Sequence, residues 1–368
     1  MRGETIHGVR RARCITHVVM VLLLLAGQRT VAAQGDHGYA GMSGGDTLVV
    51  FDLATGTALP PAINLLPEGD YPYDATLDPL GNELWIVGAS GDGVVVVDTT
   101  TDTVVARIPL GASGEYPVDV VFGAGGDLAY VSSRDSDAVV VIDVATHTMT
   151  GTSIPIASDY LGPGKMTVNP VTGEIYLVEW YDDQLYVIDP VTHAVTPETI
   201  GTSLWDLTIN GSASTLYLAD RGTDQIHVVN VADLSVVTSI SVGDDPWSLD
   251  LTPDGKYLFV ANEDSHDVSV IDTVTNAVVD TIPLASDADP RDVDVSADGS
   301  SAYVASGDIA GDDGVYVIDV ATFTVVGTIP MLGETNTNVV AVAPDLGIWL
   351  FTDGFESGDT STWSATVP

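Results

Sequence analysis

Short apolar runs closed by an acidic or amide residue recur along the chain. LVVFD (48–52), VVVVD (94–98), VVVID (139–143), LYVID (185–189), IHVVN (226–230), VSVID (268–272) and VYVID (315–319) end 41 to 47 residues apart. Runs of this length, rich in Val and Ile and bounded by turn residues, predict β-strands. A second series keeps the same spacing: LWIVG (84–88), AYVSS (129–133), IYLVE (175–179), LYLAD (216–220), LFVAN (258–262), AYVAS (302–306) and IWLFT (348–352). A third follows a turn: YDATL (73–77), VDVVF (118–122), GKMTV (164–168), WDLTI (205–209), WSLDL (247–251), RDVDV (291–295) and NVVAV (338–342). Segments such as TVVARIP (103–109) and AVVDTIP (277–283) supply a fourth strand, and no stretch carries a helical period.

Four short strands per repeat, seven times over, predict an all-β fold: a seven-bladed β-propeller of four-stranded antiparallel blades across residues 46–352. The turns agree, since DPLGN, TPDGK and SADGS place Gly or Asn where positive φ is needed, and DTTTD, DVATH and DTVTN repeat an Asp/Thr turn. A β-helix would repeat in much shorter units, and two sandwiches would not hold one register seven times. The run at 48–52 takes third place in its blade and the run at 348–352 second place. The closing blade is therefore expected to clasp two strands from each end of the chain, removing the last open edge. Residues 34–45 read as a linker and 353–368 as an acidic C-terminal tail.

The unit LDLTPDGKYLFVANEDSHDVSVIDTVTNAVVDTIPL (249–284) resembles the YVTN-type, surface-layer-like β-propeller repeats of bacterial and archaeal exported proteins. The resemblance covers roughly 46–352. It implies the fold and a place at the cell surface, and it assigns no activity.

Composition adds location and charge. Arg2, Arg10, Arg11 and Arg13 precede the apolar VVMVLLLLAG (18–27), and small residues VAA (31–33) follow, so residues 1–33 read as a signal peptide. A secreted, periplasmic or cell-surface bacterial protein is expected, with no membrane insertion after cleavage. The remaining chain holds six basic against 51 acidic residues, a net charge of −45, and no cysteine. That charge excludes nucleic acid as a partner and disfavours anionic lipid. It suits a soluble monomer held by its core rather than by disulfides.

Glu263, Asp264, His266 and Asp267 fall within five residues and look at first like a metal or acid–base site. Counting six residues back from the end of each strand in the first series gives Asp46, Asp92, Asp137, Asp183, Asp224, His266 and Asp313. A side chain that recurs once per blade reads as a turn acceptor, and His266 as its variant. His147 and His193 sit in equivalent turns. There is no GxSxG, HExxH, CxxCH or His pair at ligand spacing, so no cofactor is implied beyond Ca²⁺, considered below.

Propeller topology places the loops leading into the innermost strands, and those between second and third strands, on one face. Tyr73, Val118, Gly164, Trp205, Trp247, Arg291 and Asn338 begin the innermost strands; Asp74, Asp119, Lys165, Asp206, Ser248, Asp292 and Val339 follow them. Arg134, Trp180, Tyr181, Arg221 and Glu263 end the second strands, and Tyr71, Tyr116 and Tyr160 occupy the incoming loops. Two readings follow. In the first, Tyr73, Trp180, Tyr181, Trp205 and Trp247, with Arg134, Lys165, Arg221, Arg291 and Glu263, form a funnel that binds a glycan, peptide or envelope protein, making the chain a binding scaffold. In the second, Asp74, Asp119, Asp206 and Asp292 hold Ca²⁺ for a lactonase- or lyase-like enzyme with its site in the central funnel.

Overall fold

A computed structural model describes residues 37–156, 162–180, 183–307, 314–331 and 337–342. They form seven four-stranded antiparallel sheets, with one short 3-10 turn, Gly111–Ser113, as the only helical element among the described residues. This is the seven-bladed propeller expected from the repeats. We number the blades by chain order. The innermost strands of blades 2 to 7 are Pro72–Leu77, Pro117–Phe122, Pro163–Val168, Leu204–Ile209, Pro246–Leu251 and Asp289–Val295.

Blade 1 closes the ring, and it departs from the expected clasp. Its order is Thr337–Val342, His37–Met42, Thr47–Asp52, Thr57–Asn64, so three strands come from the N-terminal side and one from the C-terminal side. His37–Met42, in the stretch expected as a linker, fills the second place expected for 348–352. HGYAGM escapes a pattern search because two glycines interrupt it, yet both are needed. A Cβ on Gly38 would lie 2.2 Å from the Phe51 ring, and one on Gly41 would lie 2.5 Å from Val339. Residues 348–352, the 1–33 segment and the 353–368 tail lie outside the described residues.

Second and third strands are buried along almost their whole length, because each blade packs both faces against neighbours. Among the described residues, seven apolar clusters fill the spaces between blades; one runs from Trp85 and Val96 of blade 2 to Val131 and Ile142 of blade 3. Outermost strands such as Thr324–Pro330 are mostly exposed. On the opposite face of the disc, Asp52, Asp98, Asp143, Asp189, Asp272 and Asp319 each accept the N–H of a Thr three residues on. Those donations hold Asp52, Asp189 and Asp272 below the usual carboxylate range.

The column that contains His266 has a more particular role than accepting from its own turn. Asp46, Asp92, Asp224 and His266 all sit at φ between 48° and 55°. Asp46 Oδ1 accepts the Tyr71 N–H at 3.1 Å, Asp92 Oδ1 that of Tyr116 at 2.8 Å, and Asp224 Oδ1 that of Asp245 at 3.0 Å. Each aspartate thus ties its blade to the incoming loop of the next. In blade 6 the partner is the Ala288 carbonyl, 2.5 Å from His266 Nδ1, so that position needs a donor. His266→Asp, which restores the common residue, is expected to cost about 1–3 kcal/mol by setting a carboxylate against a carbonyl. Urea unfolding checks this; an unchanged midpoint would dissolve the explanation.

Candidate funnel at the channel mouth

Every inner strand starts with an irregularity. Register shifts fall between Pro72 and Asp74, Pro117 and Asp119, Pro163 and Met166, Leu204 and Asp206, Pro246 and Ser248, and Pro290 and Asp292. The residues taken out of the ladder are Tyr73, Val118, Gly164 with Lys165, Trp205, Trp247 and Arg291. A β-bulge re-aims its side chain, and here the bulges set Tyr73, Lys165, Trp205, Trp247 and Arg291 around one cavity, while Val118 packs against Trp180 and Trp205. Tyr71, Tyr116 and Asp245 in the incoming loops adopt φ of 57°, 54° and 59°. A tyrosine in the left-handed region is strained, and the aspartate column described above holds two of them there.

The side chains form a connected belt. Tyr73 lies 6.3 Å from Tyr71, 6.4 Å from Tyr116 and 5.4 Å from Trp180, ring centre to ring centre. Trp180 stacks on Trp205 at 4.5 Å and 12°, and Trp205 meets Trp247 at 4.7 Å. Gly164 permits the stack, since a Cβ there would lie 2.7 Å from Trp180 Nε1. That nitrogen donates to the Trp205 carbonyl at 3.0 Å. Arg134 covers Tyr116 at 3.6 Å, and Arg221 sits over Trp205 and Trp247 at 4.1 and 4.3 Å. Glu263 accepts from Arg291 at 3.0 Å and lies 3.8 Å from Arg221, whose main carboxylate partner is Asp245. Burial nonetheless leaves Glu263 above its ordinary range, even with both guanidiniums nearby.

Trp180 and Trp205 are 2% and 4% exposed and pack with Val118 in a small core, so they line the cavity chiefly as its rigid backing. Arg221 covers one face of Trp205 and one face of Trp247. Tyr71, Tyr73, Tyr116, Arg134, Trp247 and Arg291 are half-buried around a cavity of about 360 Å³, which Lys165, Trp180, Trp205 and Asp292 also line. Tyr181 and Tyr160 lie outside the described residues.

Below the belt, Lys165 Nζ donates to Asp74 Oδ1 at 2.5 Å. The four carboxylates considered for Ca²⁺ therefore surround an ammonium, and three of them bind backbone. Asp119 accepts from Met166 N at 2.5 Å, Asp206 from Leu249 N at 3.0 Å and Asp292 from Val340 N at 2.9 Å, each bridging to the next inner strand. Among the described residues no three His, Cys, Asp or Glu side chains group as a metal site. Burial lowers the proton affinity of Lys165, but Asp74, Asp119, Asp206 and Asp292 outweigh it and hold the amine charged. Burial would raise Asp74, yet Lys165 and a hydrogen bond with Asp119 pull it below the ordinary range.

Two further aspartates deepen the channel. Asp250 accepts from Val295 N at 2.8 Å and Asp294 from Val342 N at 2.6 Å. Burial raises Asp292 to about 6 and Asp250 to about 7. It also drives Asp294 well above the carboxylate range, with the Asp250 charge adding to the effect. Asp250 and Asp294 stand two residues after Ser248 and Asp292. The period-2 rule, applied along the inner strands, would have revealed them. A second cavity, of about 350 Å³, is lined by these residues with Asp74 and Asp206.

Residues 167–278 match a family model described as "Lactonase, 7-bladed beta-propeller". No curated protein matches the chain. Solved structures similar in fold include the following three. A functionally unknown protein from Desulfotomaculum acetoxidans has a TM-score of 0.70 at 15% identity, covering 84% of this chain and 99% of its own. Hydrazine synthase from Kuenenia stuttgartiensis has a TM-score of 0.60 at 21% identity, with coverage of 69% and 77%. Dihydro-heme d1 dehydrogenase NirN has a TM-score of 0.60 at 16% identity, with coverage of 82% and 65%. At these identities the likeness concerns the fold.

Proposed function

We propose that the protein is an exported propeller whose channel mouth binds a neutral, polyhydroxylated ligand, a glycan of the cell envelope. The observation that carries this reading is the set of bulges that turn Tyr73, Trp247 and Arg291 out of the ladder and toward one cavity. A pyranose offers an apolar face to an aromatic ring and hydroxyls to guanidinium and carboxylate groups. Trp180 and Trp205 provide the rigid backing that limits the entropy lost on binding. The mouth carries several carboxylates beside its cations, which disfavours a strongly charged ligand of either sign. The resemblance of the repeats to surface-layer-like propellers fits the envelope location.

Trp247→Ala is expected to weaken glycan binding about tenfold or more, the equivalent of about 1.4 kcal/mol, with the fold unchanged by circular dichroism. Glycan-array screening followed by titration calorimetry of the hit provides the measurement. Equal affinity in the folded variant overturns the reading. A second reading, a cyclic-ester hydrolase, draws support from the family match over 167–278. Lactone hydrolysis assayed with Ca²⁺ and with chelator separates the two, because the binding module turns over no lactone under either condition.

A further inference from the structure

Away from the channel, blade 5 carries a chain of three side chains that the funnel does not use. Ser239 Oγ lies 2.8 Å from His227 Nδ1, and His227 Nε2 lies 2.9 Å from Asp220 Oδ2. Asp220 ends the second strand, Thr215–Asp220; His227 belongs to the third, Gln225–Asn230; Ser239 belongs to the outermost, Val236–Ser241. The three are graded in exposure. The Asp220 side chain is 0% exposed, that of His227 10%, and Ser239 is an exposed residue.

The acid end is firmly set. Asp220 also accepts from Thr202 N at 2.9 Å, Thr202 Oγ1 at 3.0 Å, Ser203 N at 3.2 Å and Gly222 N at 2.9 Å. Although burial raises it, donors led by His227 hold this carboxylate down at about 2, so it stays ionised. Gly201, at φ 76°, lets the backbone close over the dyad; a Cβ there would lie 2.9 Å from Asp220 Oδ2 and 3.2 Å from His227 Nε2. Water is thereby kept from the acid–imidazole bond. An ionised Asp220 fixes the proton on Nε2 and leaves the Nδ1 lone pair to accept from the Ser239 hydroxyl.

Register supplies one more group. Val242 N–H donates inward to the Asp224 carbonyl. Counting back in twos makes Ile240–Ile226 and Thr238–Val228 the bonded pairs, and His227–Ser239 the close, non-bonded pair. The Ser239 N–H therefore points off the outer edge of the sheet, beside its own hydroxyl, where a developing oxyanion could receive it. Blades 4 and 6 carry buried pairs at corresponding places, Tyr186 Oη to Glu179 at 3.1 Å and Asn262 Nδ2 to Ser269 at 3.0 Å. Packing alone asks only for such a pair. Blade 5 extends it through an imidazole to a hydroxyl at the surface.

We infer that Ser239, His227 and Asp220 form a serine-nucleophile site on the rim of blade 5, competent toward small, unhindered carboxylic esters. Ser239 Oγ attacks the ester carbonyl as its proton passes to His227 Nδ1, giving a tetrahedral adduct. The adduct collapses with departure of the alcohol, which takes that proton, and leaves an acyl-serine. Water then attacks the acyl-serine, again giving a proton to Nδ1, and release of the carboxylic acid returns that proton to Ser239. The site stands on an open rim with no described pocket to hold a large acyl group, so small activated esters are its natural probes.

The test uses the full chain with a fluorophosphonate probe and with p-nitrophenyl acetate. The expected result is a probe adduct mapped by mass spectrometry to Ser239, and hydrolysis falling about 100-fold or more in Ser239→Ala and in His227→Gln. Asp220→Asn is expected to slow the labelling of Ser239, a readout that a purely structural role would leave unmoved. Ser239 is exposed, so its replacement by Ala leaves the fold in place, and the labelling arm uses the unaltered protein. Absence of an adduct on Ser239 together with equal hydrolysis by Ser239→Ala overturns the inference and makes the chain of bonds a packing device like those of blades 4 and 6.

Discussion

Replacing Lys165 by Met is expected to destabilise the propeller by about 3–5 kcal/mol at neutral pH, the cost of leaving buried charge without its partner. Lys165 donates to Asp74 at 2.5 Å and is the cation that Asp119, Asp206 and Asp292 also face. Methionine matches the volume of the stem but removes the charge, so the ring must take up protons or repel. The loss should therefore be smaller at pH 5 than at pH 8, because protons then replace the ammonium. Chemical denaturation of parent and variant at both pH values measures this. A variant as stable as the parent at pH 8 would show that the aspartates are held by backbone donors alone.

The unaltered protein is itself expected to be most stable in mild acid, near pH 4–5. Asp292 and Asp250 are raised to about 6 and about 7 by burial. For a carboxyl raised on folding, the stabilising contribution is complete below its unfolded value near 4. It is lost as pH climbs through the folded values, here between about 4 and 7. Asp294 acts in the same direction. On the acid side Asp220, lowered to about 2, and the turn aspartates contribute stability that disappears as pH falls from about 4 toward 2. Self-repulsion in a chain with 52 acidic and 11 basic residues steepens the alkaline limb. Melting temperatures from pH 3 to 9 test the shape: the maximum should lie below pH 6, with a decline of several kcal/mol by pH 8. A plateau from pH 5 to 8 would mean that the channel carboxyls are solvated more fully than their packing indicates.

How much could be read beforehand differs between fold and site. The strands of the second and third series were legible because burial on both faces leaves uninterrupted Val and Ile, as in GVVVVD, and the turns because Asp and Gly recur at fixed places. His37–Met42 was not, since its glycines answer to Phe51 and Val339, residues distant in sequence. Counting strands and turns places Tyr73, Arg134, Lys165, Trp180, Trp205, Trp247 and Arg291 on one face, and all seven line one cavity. How deeply each of them is buried does not follow from that count. Trp180, Trp205 and Trp247 look alike in sequence, and only stacking across blades buries the first two.

His266 shows the boundary most clearly. Comparison with its counterparts identified it as a structural position, and that reading came from the sequence by itself. The repeat likewise determined the blade count, the four-strand order, the face that carries variable residues and the acidity of the whole. Tertiary structure decided that the partner of His266 is a carbonyl, that a lysine fills the aspartate ring, that bulges turn Tyr73, Trp247 and Arg291 to the mouth, and that Ser239 meets His227. The physical reason is the same in each case. Strand pattern follows from local burial, which a repeat records many times over, whereas these contacts join single residues across strands or blades and depend on register and on the neighbour's backbone.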